Sequence, residues 1–141
     1  MNAPLYSLDV LRLAAASADT PRLDFANSSA ERRSTVCGSR ITVDVVTDAA
    51  GRVAHYGHEV RACALGQASA TILAQSIVGR GHGEVAAARD ALAAFLAGDS
   101  PSLPEWPAIE ILARARPYVA RHAAVLLAFD VAIDALGAAT G

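Results

Sequence analysis

The fold of this chain is decided by the stretch RITVDVVTDAAGRVAHYGHEVRAC, residues 40–63. Apolar and polar side chains alternate from Arg40 to Asp48, and this period of two is typical of a strand with one buried face. The run Asp48–Gly51 is a turn signal, because its glycine can adopt a positive φ. The residues Arg52–Arg61 then continue as a second strand. The stretch therefore predicts a long antiparallel hairpin.

The residues before the hairpin predict one helix and a third strand. Leu5–Ala18 has apolar residues at helical spacing, with Ser7 as its N-cap. The apolar positions of this helix are Leu5, Leu8, Leu11, Ala15 and Ala18. Asn27–Ala30 has the composition of a turn, and Glu31–Val36 is a short strand that ends in two strand-forming residues. We expect a three-stranded antiparallel sheet with one buried face.

After the hairpin the periodicity becomes helical. Leu65–Ile77 and Glu84–Ala97 predict two helices, separated by the glycine-rich Gly79–Gly83. Ala108–Arg116 predicts a short helix, and Tyr118–Leu136 predicts a long one. The long helix has its apolar seam at Val119, His122, Leu126, Phe129, Ile133 and Leu136. Because strands and helices are segregated, we expect an α+β domain with the helices packed on one face of the sheet.

Length and composition exclude several classes of protein. The chain has 141 residues, 53% of them hydrophobic, and this fits one domain, residues 1–141, with a core of its own. A net charge of -2 and a pI of about 6.0 give no basic stripe for nucleic acid. The start has no signal-peptide pattern, and charges and glycines interrupt every apolar run, so we expect no membrane span. The expected location is cytoplasmic, where thiols stay reduced.

Two loop segments contain residues that could take part in binding. Ser100–Pro107 predicts a loop, in which Trp106 is either an anchor to the domain or a contact for a partner. Gly79–Gly83 does not follow a strand and lacks the spacing of a phosphate-binding fingerprint. The sequence therefore offers no nucleotide site.

The chemistry of the chain is concentrated in its two cysteines, Cys37 and Cys63. Cys37 ends a predicted strand and precedes Gly38, which allows a sharp turn and the close approach of another group. Cys63 lies where a strand ends and a helix begins, and the amides of a helix N-terminus favour a thiolate, the form that binds metal. The alternative for each is a small buried cysteine of the core.

Two cysteines do not complete a metal site, since zinc takes four ligands. Among the histidines, His122 stands on the apolar seam of the last helix, where a core role is the commoner outcome. The other candidates are His55, His58, His82, Ser39, Asp44 and Glu59. No local pattern supplies a base beside a cysteine nucleophile, so the chain is not predicted to be an enzyme.

Six short motifs occur along the chain in a characteristic order. They are a Tyr-Ser pair before the first helix, a Pro-Arg pair after it, a Cys-Gly motif between strands, a cysteine followed by Ala-Ser, a glycine turn, and a last helix that begins with arginine. Here they read Tyr6-Ser7, Pro21-Arg22, Cys37-Gly38-Ser39, Cys63 with Ala68-Ser69, Gly81-His82-Gly83, and Arg121 to Leu127. In this order the chain resembles the NifU/IscU/SufU-type iron–sulfur cluster assembly scaffolds over most of its length.

The resemblance implies a function as well as a fold. Such scaffolds hold a nascent [2Fe–2S] cluster on cysteine thiolates, receive sulfur from a cysteine desulfurase and pass the cluster to apo-proteins; zinc commonly binds the same thiolates. It implies that Cys37, Cys63 and Ser39 bind the cluster or iron, and that zinc would take Cys37, Cys63 and His122. A cysteine desulfurase and apo-protein acceptors are the implied partners.

The sequence departs from the family pattern at the remaining ligands. Ala124 stands where the family has its third cysteine, Ala123 precedes it, and Ser39 replaces an aspartate. His122 is two residues from Ala124, about 200° around a helix, so it does not replace that ligand without a shift of register. Completion by a histidine, a small thiol or a second subunit, and a degenerate regulatory or zinc-binding module, all remain open.

Overall fold

The computed structural model describes residues 5–34 and 38–140. The helices and strands within them are α1 (Leu8–Ala16), β1 (Ser28–Arg33), β2 (Arg40–Thr47), β3 (Val53–Arg61), α2 (Ala64–Ser76), α3 (His82–Ala97) and α4 (His122–Thr140). Short 3-10 helices lie at Ser17–Asp19, Ile109–Ala115 and Val119–Arg121. This order confirms the predicted α+β architecture.

The predicted hairpin is present as β2 and β3, with β2 at the centre of the sheet and β3 at one edge. The strand order is β1-β2-β3, and both neighbouring pairs are antiparallel. The β2–β3 register runs from Arg40 opposite Arg61 to Thr47 opposite Val53, with an irregularity between Val46 and Thr47. Gly51 adopts a φ of 79°, as the turn requires.

The first strand begins earlier than the sequence predicted. Ser28 and Ser29 belong to β1, where they pair with Val45 and Asp44, and they do not form a turn. Their hydroxyl groups donate to distant acceptors, namely the Ala135 carbonyl at 2.6 Å and the Asp44 carboxylate at 2.6 Å. Serine is read as a turn residue because of local hydrogen bonds, so these long-range bonds could not be foreseen. The expected strand end at residues 35–36 lies outside the described residues.

The helices cover one face of the sheet, as expected. Helix α4 packs on β1 and β2, while α2 contacts β3, α1 and α4. The largest fully buried side chains come from both layers and include Ile41, Val43, Leu65, Leu73 and Phe129. The sheet and the helices therefore share one core, and the hairpin holds the first turn of α2 in place.

The opposite face of the sheet is also covered, contrary to the expectation of one buried face. Thr42 and Asp44 are buried there. A Cβ atom on Gly57 would lie 2.4 Å from the Pro21 carbonyl oxygen and 2.9 Å from the Leu23 amide nitrogen. The segment after α1 therefore lies directly on the outer face, at a glycine that leaves room for its backbone.

A buried carboxylate fixes this covering segment. Asp44 accepts hydrogen bonds from Arg22 Nε at 2.9 Å, Arg22 Nη2 at 2.8 Å and the Leu23 amide at 3.1 Å, in addition to the bond from Ser29. The guanidinium group of Arg22 is the main reason that the pKa of Asp44 is lowered. Such full satisfaction is what allows a charged group to be buried in a strand.

The predicted helices are present, but α1 buries another face, and the seam predicted for the last helix is buried only in part, at Phe129 and Leu136. In α1 the buried residues are Val10 and Ala14, whereas Leu8 is 61% and Leu11 48% exposed. In the last helix Val119 is exposed and α4 starts only at His122. The buried residues of α4 include Val125, Ala128, Phe129, Ala132 and Leu136. Because alanine can lie on a buried or an exposed face of a helix, the apolar pattern of an alanine-rich helix does not indicate which face is buried.

One helix boundary and one helix type also differ from prediction. Helix α3 begins at His82, inside the glycine-rich run, with Gly81 as its N-cap. The short helix Ile109–Ala115 is a 3-10 helix, and Ala108 before it has a φ of 67°. Over Val119–Ala139 the last helix is long and apolar enough to cross a membrane by length and composition alone. Half of its most apolar window is buried inside the domain, and a helix of a protein core has the same length and composition.

Candidate functional site

Cys63 lies at the N-cap of α2, as predicted. Its backbone is extended, with φ -62° and ψ 165°, and its carbonyl oxygen accepts the first helical hydrogen bond from the Gln67 amide at 2.9 Å. The residue is partly buried and is not in a disulfide. It opens into a groove of about 520 Å³, the Cys63 groove, lined by Gly38, Ser39, Val60, Arg61, Ala62, Cys63 and Gln67. The thiol is therefore accessible at the start of a helix.

Cys37 lies outside the described residues, and so its role stays a prediction. The residues on either side of residues 35–37 are joined by two backbone hydrogen bonds, from the Ser34 amide to the Ser39 carbonyl at 2.8 Å and from the Gly38 amide to the Ser34 carbonyl at 3.0 Å. Gly38 has a φ of 72°. Gly38, the residue that follows Cys37 in the chain, and Ser39 both line the Cys63 groove.

Ser39 and His122 differ in their relation to the groove. Ser39 is buried and contributes to its lining. The Nε2 atom of His122 lies 3.1 Å from the Ala115 carbonyl oxygen and 2.9 Å from that of Arg116. As a donor, this nitrogen ties the start of α4 to the preceding 3-10 helix, and a metal bound through Nε2 would replace those bonds. Their roles as ligands stay predictions.

The position of the missing third cysteine and Cys63 both lie close to Gly66. A Cβ atom built on Gly66 would be 3.9 Å from Cys63 Sγ and 3.5 Å from the Ala124 carbonyl oxygen. It would also lie 2.9 Å from the Ala62 Cβ atom, which is too close. Gly66 is thus a position at which α4 and the first turn of α2 meet closely. This role was missed from the sequence, where Gly66 was one of several small residues.

Among the described residues, Cys63 and Ser39 are the predicted ligands that line the groove. Within residues 5–34 and 38–140, no three histidine, cysteine, aspartate or glutamate side chains are grouped so that they could hold a metal ion. The lining residues that sequence reasoning missed are Val60, Arg61 and Gln67. They carry no motif, and only the meeting of the end of β3 with the start of α2 identifies them.

His58 is structural and belongs to a buried hydrogen-bond chain. The Tyr56 hydroxyl lies 2.9 Å from its Nδ1, and its Nε2 lies 2.8 Å from the Ser17 carbonyl oxygen. Since a carbonyl only accepts, Nε2 carries the proton and Nδ1 accepts from Tyr56. Burial lowers the pKa of His58, against the smaller opposing effect of the Ser17 hydrogen bond. The folded protein therefore holds this imidazole neutral.

The neutral His58 predicts a loss of stability in mild acid. Because its folded pKa lies below its unfolded value of about 6.5, the unfolded chain binds the extra proton, and stability falls as the pH drops below about 6.5. We expect His58→Gln, which keeps an acceptor and a donor, to flatten the free energy of unfolding between pH 7.5 and 5. Urea denaturation followed by circular dichroism measures this, with the exposed His55→Gln as the control. An unchanged slope in His58→Gln would contradict the assignment.

Comparison with solved structures places the chain among known folds. It is similar to a crystal structure of a nitrogen-fixing NifU-like protein, N-terminal part, from Brucella abortus, with 34% identity, a TM-score of 0.88, and coverage of 96% of this chain and 94% of that one. A protein from Fervidobacterium islandicum AW-1, assigned as an iron–sulfur cluster assembly scaffold for the SUF system, has 20% identity, a TM-score of 0.82, and coverage of 94% and 96%. The second likeness bears on the fold alone. No protein-family model and no curated protein matches the chain.

Proposed function

The chain belongs to the NifU/IscU/SufU-type family of iron–sulfur cluster assembly scaffolds, as a divergent member without the third cysteine, and from this premise we propose that it carries iron or a nascent [2Fe–2S] cluster on Cys37 and Cys63. The family is one of scaffolds and not of enzymes. In this proposal the cluster is cargo that is assembled on the chain and then passed on. Residues 1–141 act as one scaffold domain.

The observation that carries this proposal is the open groove at Cys63. The thiol lies at the N-cap of a 13-residue helix, where the backbone amides of the first turn of α2 have no partner within the helix. The residue that follows Cys37 lines the same groove. A groove of about 520 Å³ that opens to solvent gives room for a small cluster and for its transfer to another protein.

The charge around the groove supports an anionic cargo. Arg40 and Arg61 both lie near a single carboxylate, that of Glu59, at 3.2 and 3.6 Å. One positive charge is thus uncompensated at the rim. A cluster held by thiolates is negatively charged, and such a charge close by would stabilise it.

The two cysteines leave the ligand set incomplete. Iron–sulfur clusters are held by four protein ligands in most cases. Ser39, which is buried at the groove, and His122, after release of its carbonyl contacts, are the ligands that this chain itself could add. A small thiol or a second copy of the chain could supply the others. We propose a cysteine desulfurase as the sulfur donor, apo-proteins as acceptors and the cytoplasm as the location.

Anaerobic reconstitution with iron and sulfide tests this function. The wild-type chain is expected to develop visible absorbance and to retain iron after desalting. Cys63→Ala and Cys37→Ala should each lose most of both, because each removes half of the available thiolates. Matched controls are Ser17→Ala and Ser76→Ala, which lie in other parts of the fold. Colour in the wild type that persists in both cysteine variants would contradict the proposal.

The same samples test the zinc-bound alternative. Elemental analysis of protein purified without chelator gives the zinc content, and His122→Ala tests whether that histidine is a ligand. Stoichiometric zinc that depends on Cys37, Cys63 and His122, together with failure to assemble a cluster, would favour the degenerate zinc-binding module. Zinc below one equivalent would dismiss it.

A further inference from the structure

The edge of the sheet at Val60 has unused hydrogen-bonding groups. Strand β3 is an edge strand. The His58 amide donates to the Thr20 carbonyl at 3.3 Å, and so it points away from β2. Since directions alternate along a strand, the N–H and C=O of Val60, two residues on, also point away from β2. Within residues 5–34 and 38–140 no hydrogen-bond partner meets these two groups.

The surroundings of Val60 provide room on both sides. Val60 and Gln67 line the Cys63 groove and also a second cavity of about 520 Å³, which extends towards Ser17, Pro21 and Arg22. Free backbone groups at a sheet edge are a template for another strand, and pockets beside them accept alternate side chains. The position is therefore suited to a short extended segment.

The two faces of the edge differ in character. The side chain of Val60 lies on the core face with that of its partner Ile41, whereas Arg61 and Arg40, one residue on, lie on the opposite face. Arg61 is largely exposed and shares Glu59 with Arg40. An added strand that alternates apolar and acidic residues would match the apolar face and the uncompensated arginine at once.

We infer that this edge binds an extended acidic segment of a partner protein by strand addition at Val60, beside Cys63. The segment forms two main-chain hydrogen bonds with Val60 and a charge-assisted contact with Arg61. Because β3 leads directly into Cys63, the bound segment runs past the thiol. Its use in delivering or receiving the cargo rests on the proposed function, but the binding itself does not.

NMR titration of the cluster-free, reduced chain tests the inference. The probe is a capped heptapeptide of alternating valine and aspartate, and its counterparts carry lysine for aspartate or N-methyl groups on alternate amides. We expect shifts at Val60, Arg61 and Cys63 and slower exchange of the Val60 amide. Binding should be about tenfold weaker for either counterpart, because the lysine peptide loses the charge-assisted contact with Arg61 and the N-methylated peptide loses main-chain hydrogen bonds. Equal binding of all three peptides, shifts located elsewhere, or no binding at millimolar peptide overturns it.

Variants of the chain separate the backbone contact from the charge. Val60→Pro removes an N–H that points away from β2 and replaces the valine side chain, and a proline is tolerated at such an edge position. Arg61→Glu reverses the charge, while Arg52→Glu reverses an exposed arginine at the far end of the hairpin. We expect about tenfold weaker binding for the first two and none for the control. If Val60→Pro alters the fold, the N-methylated peptide still tests whether binding requires the main-chain hydrogen bonds. A chain that assembles a cluster but does not bind the peptide would overturn the inference of strand addition and leave the proposed function intact.

Discussion

Ala124→Cys is expected to raise the iron and cluster content of the reconstituted chain and to make the bound cluster more resistant to a chelator. The Ala124 backbone packs against Gly66, which is also next to Cys63 Sγ, so the new thiol would stand at the third-ligand position of the family. Changes to residues that only support a metal ligand alter affinity by about 10–100-fold, so an added ligand should give at least about a tenfold gain. This gain is measured as the fraction of iron that the protein retains at increasing concentrations of chelator.

The adjacent residue provides the control for this gain of function. Ala123 is exposed, whereas Ala124 is buried, so Ala123→Cys adds a thiol one residue away that does not face the same side of α4. We expect little change from it. The gain in Ala124→Cys should also disappear when Cys63→Ala is combined with it. An equal gain from Ala123→Cys would show that added thiols bind iron without forming the site.

Trp106→Ala is expected to destabilise the chain by about 3–5 kcal/mol, the usual cost of removing a buried tryptophan. Trp106 is 4% exposed, and its indole N–H donates to the Ile72 carbonyl in α2 at 2.9 Å. Its ring meets that of Phe129 in a T-shaped contact at 5.5 Å, and the Arg80 guanidinium lies 4.2 Å from its centroid. Trp106 therefore anchors its loop to the domain. This decides between the two roles that the sequence left open, an anchor and a contact for a partner. Urea denaturation followed by circular dichroism measures the loss.

Two further substitutions show which interactions account for the stability lost in Trp106→Ala. Trp106→Phe keeps most of the packing but removes the indole N–H, and it should cost about 1 kcal/mol from the hydrogen bond together with part of the packing. Tyr118→Ala removes an exposed aromatic ring and should stay within about 0.5 kcal/mol of wild type. A Trp106→Ala chain as stable as the Tyr118→Ala chain would contradict the anchoring role.

Local pattern predicted the elements well where one local rule was dominant. The alternation around Val43 and the glycine at residue 51 defined the hairpin, and the change of period after Cys63 defined α2. Pattern failed where distant contacts decided the outcome. Ser28 and Ser29 are strand residues because Ala135 and Asp44 accept their hydrogen bonds. Helix α1 buries Val10 and leaves Leu8 exposed because it packs against α2.

For the site, the sequence supplied the residues but not their neighbours. Cys63 was predicted at the start of a helix and lies there. Ala124 was identified by resemblance alone, and the structure adds its contact with Gly66. Arg61 and Val60 carry no motif, because their importance comes from the geometry of a strand edge beside a helix N-terminus. The ligand role of Cys37 stays a prediction.

The sequence by itself determined the α+β class, the hairpin and the two thiols, since period, turn chemistry and cysteine position are properties of short segments. Three facts depend on long-range packing: the second sheet face is covered, Trp106 is an anchor, and Ala124 lies next to Gly66. These facts join residues between 34 and 58 positions apart in the chain, such as Ile72 with Trp106, and Gly66 with Ala124. No local preference encodes such contacts, because they form when amphipathic elements bury their apolar faces together.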